Sequence, residues 1–227
     1  MGGRMERQTM DELFRRTWIL IQRNGKASAI AVAILTPVLG IFGRGIIGVA
    51  ALVYAQYELT YTALSRIDLL DSGYRKRRFL AVAGLLLLNY LIVTIGLILF
   101  ILPGIFLAAR LIASVPALIS EEAGVFEAMQ ISWDRTRNNT LSICLALAVL
   151  FVVSAGALFG MSMTAVGLSG LFGTLGDDLP VWAAMLLGIG VMALLAAMFV
   201  TYWHLAIAVY AGSRSEQDIE DVTHIFA

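Results

Sequence analysis

The sequence predicts an all-α, polytopic membrane fold: six transmembrane helices and two cytoplasmic, interfacial amphipathic helices, forming a single membrane domain over residues 1–227. Three observations predict it. Hydrophobic residues make up 59% of the 227, more than a soluble domain of this length can hide in a core. They gather in long runs without the alternation of a barrel strand, and lipid leaves helices or closed barrels as the only structures that satisfy a spanning backbone. Basic residues are one-sided. If the chain enters from the cytoplasm, 14 of the 16 Lys and Arg lie inside: six up to Lys26, five from Arg66 to Arg78, then Arg135, Arg137 and Arg214. Arg44 alone is outside and Arg110 lies within a span, so the positive-inside rule places both termini in the cytoplasm.

Residues 5–24 read as the first surface helix. Met10, Leu13, Phe14, Thr17, Trp18 and Ile21 recur at i, i+3, i+4, i+7, i+8 and i+11, with most charges elsewhere. Trp and Phe on one face and Arg on the other suit a helix in the headgroup layer, and packing on other cytoplasmic segments is the second reading. Spans follow at about 27–43 and 46–64, separated by the tight turn Gly43-Arg44-Gly45. As one helix, Ala27 to Leu64 would run about 57 Å with a charge in mid-membrane, so two spans are preferred. Pro37 should kink the first. The next pair, 79–102 and 104–120, closes at Leu102-Pro103-Gly104.

The second surface helix, 122–138, repeats the first at an offset of 115 residues: Glu127 matches Glu12, Trp133 matches Trp18 and Asn139 matches Asn24. Both copies run directly into a span, which suggests an internal repeat of surface helix plus hairpin; chance likeness between two amphipathic helices is the other reading. The last spans, 140–163 and 180–205, flank a connection in which Gly167, Gly170, Gly173 and Gly176 recur every three residues. It reads as a flexible loop, or as a segment able to pack closely or re-enter the bilayer.

Composition excludes several functions. The net charge is zero, so no bulk attraction to nucleic acid is expected. Cys144 forms no intrachain disulfide, and with His204 and His224 it cannot build a zinc site of the usual His/Cys type, so no cofactor is expected. The charged start followed by an apolar run reads as an uncleaved first anchor. No nucleophile elbow, P-loop or H-E-x-x-H helix occurs.

The polar candidates inside spans are Glu58, Arg110, Asn89 and His204. Intramembrane ionisable groups are functional candidates by default, because an unpaired one is costly. Counted from the outer turns at the helical rise, Glu58 lies about 20 Å deep and Arg110 about 9 Å, which disfavours a direct pair and lets Arg110 snorkel to water or a lipid phosphate. His204 sits among Tyr202, Trp203 and Tyr210, which an interfacial aromatic belt explains. Arg75, Lys76, Arg77 and Arg78 form a basic cluster beside the bilayer, suited equally to anionic lipid headgroups and to fixing topology.

From Pro103-Gly104 through Arg110, Pro116, Glu121-Glu122, Glu127-Ala128 and Ser132-Trp133 to Thr136-Arg137, the chain resembles the membrane domain attached to some bacterial glycerophosphoryl diester phosphodiesterases. It is equally similar to stand-alone bacterial membrane proteins that share the domain. The catalytic barrel of the phosphodiesterase has no counterpart, so the resemblance implies a scaffold without the hydrolase and carries over no catalytic residue. The expectation is a non-enzymatic bacterial inner-membrane protein that binds membrane lipids, or a protein partner or second copy, in envelope or lipid homeostasis. A small transporter with a polar site around Glu58 and Arg110 is the alternative.

Overall fold

Every regular element of the computed structural model is helical. It describes residues 9–42, 45–70, 79–174 and 180–225, with the backbone alone for Ile101, Thr174 and 215–225, and among these residues there are nine helices and no strand. Among the described residues, five stretches are long and apolar enough to cross a membrane: Gly25–Phe42, Phe79–Leu99, Leu102–Ser120, Thr140–Gly173 and Val181–Arg214.

α1 (Met10–Arg23) has Asp11 and Glu12 in its first turn and Arg23 in its last, each sign matched to the helix dipole. Its buried residues are Leu13, Thr17 and Leu20, packed toward α8 and α9, while Trp18 and Ile19 face away. Leu20 thus joins Leu13 and Thr17 of the expected face in contact with protein, while Trp18 of that face stays exposed. The chain turns at Asn24, whose carbonyl accepts the Ser28 N–H, into α2 (Gly25–Phe42), with Pro37 inside it.

α3 (Ile46–Arg66) is the expected second span but is not among the five apolar stretches. Gln56, Glu58, Thr60, Thr62 and three tyrosines lower its hydropathy. It ends in a Schellman turn, with the Leu69 N–H on the Leu64 carbonyl and Asp68 at a positive φ of 54°.

α4 (Phe79–Leu99) and α5 (Ile101–Leu111) form a hairpin that turns at the extended Phe100, just before the expected Leu102-Pro103-Gly104. Pro103 falls in the first turn of α5, where its missing N–H is an orphan in any case. Gly96 and Gly104 let the two backbones meet: a Cβ on Gly96 would stand 3.0 Å from the Gly104 Cα, and one on Gly104 2.8 Å from the Leu97 nitrogen.

The expected span 104–120 is not one helix. It breaks after Leu111 and resumes as α6 (Ser114–Ser120), because Pro116 cannot donate to the Ile112 carbonyl and Ser114 Oγ instead bonds the Leu111 carbonyl at 2.6 Å. α7 (Val125–Arg135) starts where Gly124 N–H donates to the Glu127 carboxylate at 3.0 Å, and packs on α6. Val125 lies 115 residues after Met10 and Thr140, the start of α8, 115 after Gly25. The Asn139 carbonyl takes the Ile143 N–H as Asn24 takes Ser28.

α8 (Thr140–Thr174) corrects the expected boundary at 163. Gly167, Gly170 and Gly173 are helical, with nothing within 4 Å of a Cβ built on them; Gly176 lies outside the described residues. Each glycine costs a helix up to about 1 kcal/mol relative to alanine, but an apolar surrounding offers the backbone no partner outside the helix. Ser162, Thr164 and Ser169 turn their hydroxyls onto carbonyls four residues back. α9 (Val181–Ile225) runs past the expected end at 205 without a break. The protein core gathers around residues 109–118 and 203–210, where α5, α6 and α9 meet α1, α3 and α7.

Candidate functional site

Two polar clusters occupy this packed layer. The first is built on the last turn of α5. Arg110 is 9% exposed, and its Nη1 donates to the Trp133 carbonyl at 2.8 Å. Its guanidinium carbon stands 4.6 Å from the Trp133 ring centroid and 5.5 Å from that of Phe106, and the two rings meet edge to face at 6.0 Å. A cation over aromatic faces is attracted by the ring quadrupole, more so when desolvated. The backbone is tied too: Ser132 Oγ donates to the Arg110 carbonyl at 2.7 Å, and Thr136 Oγ1 shares that acceptor at 3.3 Å. Arg110 Nε is buried without a hydrogen-bond partner. Arg110 therefore turns toward α7, not outward to water, and its side-chain hydrogen bond goes to Trp133 rather than Glu58. The depth counted from the outer turn missed that α7 folds back along α6 to meet it.

Beside this cluster an apolar groove of about 240 Å³ opens between α4, α5 and α7, lined by Ile92, Leu107, Leu111, Met129, Gln130 and Trp133. Trp133 is shared. It walls the groove and lies over Arg110.

The second cluster joins helix ends that are far apart in sequence. Glu121, just after α6, accepts the Tyr210 hydroxyl of α9 at 2.6 Å and pairs with Arg135 of α7 at 2.8 Å. The Arg135 guanidinium also lies 4.9 Å from the Tyr210 ring centroid. Next to it, Ser120 Oγ donates to the Leu69 carbonyl after α3, and Arg214 Nη1 bonds both Leu69 O at 3.2 Å and Ser120 Oγ at 3.0 Å. Sequence reasoning missed this cluster. Its signals were Glu121 and Arg135 just outside apolar runs, and a tyrosine ascribed to the interfacial belt.

The remaining candidates are dispersed. Asn89 donates to Ser114 Oγ at 2.7 Å and ties α4 to α6. His204 is fully buried; its Nδ1 lies 2.8 Å from the Val200 carbonyl, which only accepts, so Nδ1 carries the proton and Nε2 faces the Ser28 hydroxyl at 3.4 Å. It belongs to the α2–α9 contact and not to a solvent-facing belt. Glu58 is half-buried on α3. Arg75, Lys76, Arg77 and Arg78 lie outside the described residues. Among the described residues, no three His, Cys, Asp or Glu side chains come together as a metal site requires. The charges so placed can brace helices and cradle an anion.

A family model described as the membrane domain of glycerophosphoryl diester phosphodiesterase matches residues 82–222. No curated protein and no solved structure matches the chain.

Proposed function

The chain belongs to the family of the membrane domain of glycerophosphoryl diester phosphodiesterase, and from that premise we propose that it is a non-enzymatic, lipid-binding scaffold of the bacterial inner membrane, serving envelope or lipid homeostasis. The matched region is the membrane domain alone, without a catalytic domain. In this reading α3 joins the five apolar stretches as a sixth span, and both termini are cytoplasmic, in keeping with the one-sided basic residues. α1 and α7 are equivalent interfacial helices of a duplicated unit, which the shared 115-residue offsets of their starts and of α2 and α8 support.

One observation carries the reading. The charged side chains of the inner layer are engaged in ties between helices, while the outer halves of the spans present apolar surface such as Ile41, Ile98, Phe159 and Trp182. A protein so built holds its own shape from within and offers its flanks to lipid.

Native mass spectrometry of the protein extracted in mild detergent is expected to show bound phospholipid, with delipidation lowering the thermal midpoint and added lipid restoring it. Loss of all lipid without a change in midpoint would overturn the lipid-binding part. Turnover of a glycerophosphodiester by the purified chain would overturn the non-enzymatic part.

A further inference from the structure

Arg110 is a buried cation without a carboxylate bonded to it. Its side chain has one hydrogen bond, to a backbone carbonyl, and its Nε has none. Among the groups that act on it through space are Arg137 and Asp134, which are opposite in sign and offset one another. A guanidinium presents five donors in a planar fork that matches a phosphate, and four of the five are not used in that bond.

The groove beside it has the complementary chemistry. Leu107, Arg110 and Leu111 stand at i, i+3 and i+4, so the two leucines lining the groove and the arginine share one face of α5. The opposite walls are Ile92 of α4 and Met129 of α7, and Gln130 stands at the rim. About 240 Å³ falls below the roughly 300–1,000 Å³ of a drug-sized pocket, so the open groove seats part of one hydrocarbon chain and not a whole lipid. Two walls come from stretches apolar enough to cross a membrane, so hydrocarbon chains are what the groove meets. Trp133 is the divider: one ring separates the cation from the apolar cleft, and it is 38% exposed.

From this juxtaposition we propose an anionic-phospholipid site: one acyl chain lies in the groove between α4, α5 and α7, and the headgroup phosphate meets the Arg110 guanidinium once the Trp133 indole swings aside. The proposal rests on the lipid-binding reading and gives it an address. Phosphatidylcholine, which carries the same phosphate under a neutralising choline, should bind more weakly than phosphatidylglycerol. Inorganic phosphate has no chain to fill the groove and should not compete.

The test is native mass spectrometry of the full chain in detergent, exchanged with phosphatidylglycerol or phosphatidylcholine and challenged with inorganic phosphate. Wild type is expected to retain one phosphatidylglycerol in preference to phosphatidylcholine. Arg110→Gln should lower that occupancy about tenfold and erase the preference, the tenfold being the equivalent of about 1.4 kcal/mol. Arg110→Lys, which keeps the charge without the fork, should fall between. Leu107→Trp should block both lipids by filling the groove; Met129→Trp fills it from the other wall should the first variant fail to fold. Unchanged retention in Arg110→Gln and in the groove variants would overturn the site while leaving lipid binding elsewhere intact. A wild-type protein without any retained lipid would remove the reading beneath it as well. Displacement of the lipid by millimolar phosphate would overturn the proposal in favour of a soluble-anion site.

Discussion

Leu102–Ser120 and Thr140–Gly173 are both apolar enough to cross a membrane, yet 61% of the first one's most apolar stretch is buried by protein and only 17% of the second's. The residues explain the difference. Ala109, Ala113 and Ala117 recur every four positions with Ser114 beside them, all fully buried, and small side chains let neighbouring helices approach. α8 instead turns Phe151, Val152, Val153, Phe159 and Val166 outward, more than 60% exposed. Hydropathy measures only that water is avoided. Side-chain size along the helix decides whether protein or lipid replaces it.

That contrast breaks most readily at its tight end. Leu118 is fully buried in α6, and Leu118→Ala should destabilise by about 2–5 kcal/mol through the cavity it leaves. Phe159→Ala, on the exposed flank of α8, should stay within about 0.5 kcal/mol. Comparing thermal midpoints of the two variants in one detergent checks the pair; equal losses would mean that the flank is packed in solution. A smaller effect, about 1–3 kcal/mol, is expected for Glu121→Gln, which weakens the Tyr210 bond and leaves the Arg135 charge with its Nη1 already unpartnered. Combined with Tyr210→Phe it should be less than additive, and strict additivity in a double-mutant cycle would show that Glu121 and Tyr210 do not act together. Glycines sharpen the comparison at the smallest scale. Gly160→Ala on the open face of α8 should raise stability by up to about 1 kcal/mol, whereas Gly104→Ala, where a Cβ would collide with Leu97, should lower it. A loss at Gly160 would reveal a helix seated against it.

The all-helical fold and the starts of the apolar helices were legible because runs of leucine, isoleucine and valine need no tertiary information. The break between α5 and α6 carried a signal in Pro116 that a hydropathy window averages away. The extension of α8 through Gly167, Gly170 and Gly173 was hidden, since the spacing that suits a loop in water is tolerated by a helix where no water competes for its carbonyls. Arg110 was legible as a candidate, but not its partner, because the Trp133 carbonyl is a backbone atom 23 residues away. Glu121 and Tyr210, 89 residues apart, and Arg214 and Leu69, 145 apart, come together only once four helix ends share a layer.

The unbroken apolar stretch of α8 has a consequence for the bilayer itself. Thirty-four residues from Thr140 to Gly173 make a rod of about 51 Å at 1.5 Å per residue, against a hydrocarbon core of about 30 Å. Tilt alone would have to reach about 54° to fit it, beyond the 0–40° seen for spanning helices. Val181–Arg214 has the same length. Each helix therefore meets more than a hydrocarbon core: α9 spends its inner end, residues 203–210 and Arg214, in the packed protein layer, and the apolar excess of α8 is taken up by tilt, by local thickening of the lipid or by running on past the hydrocarbon.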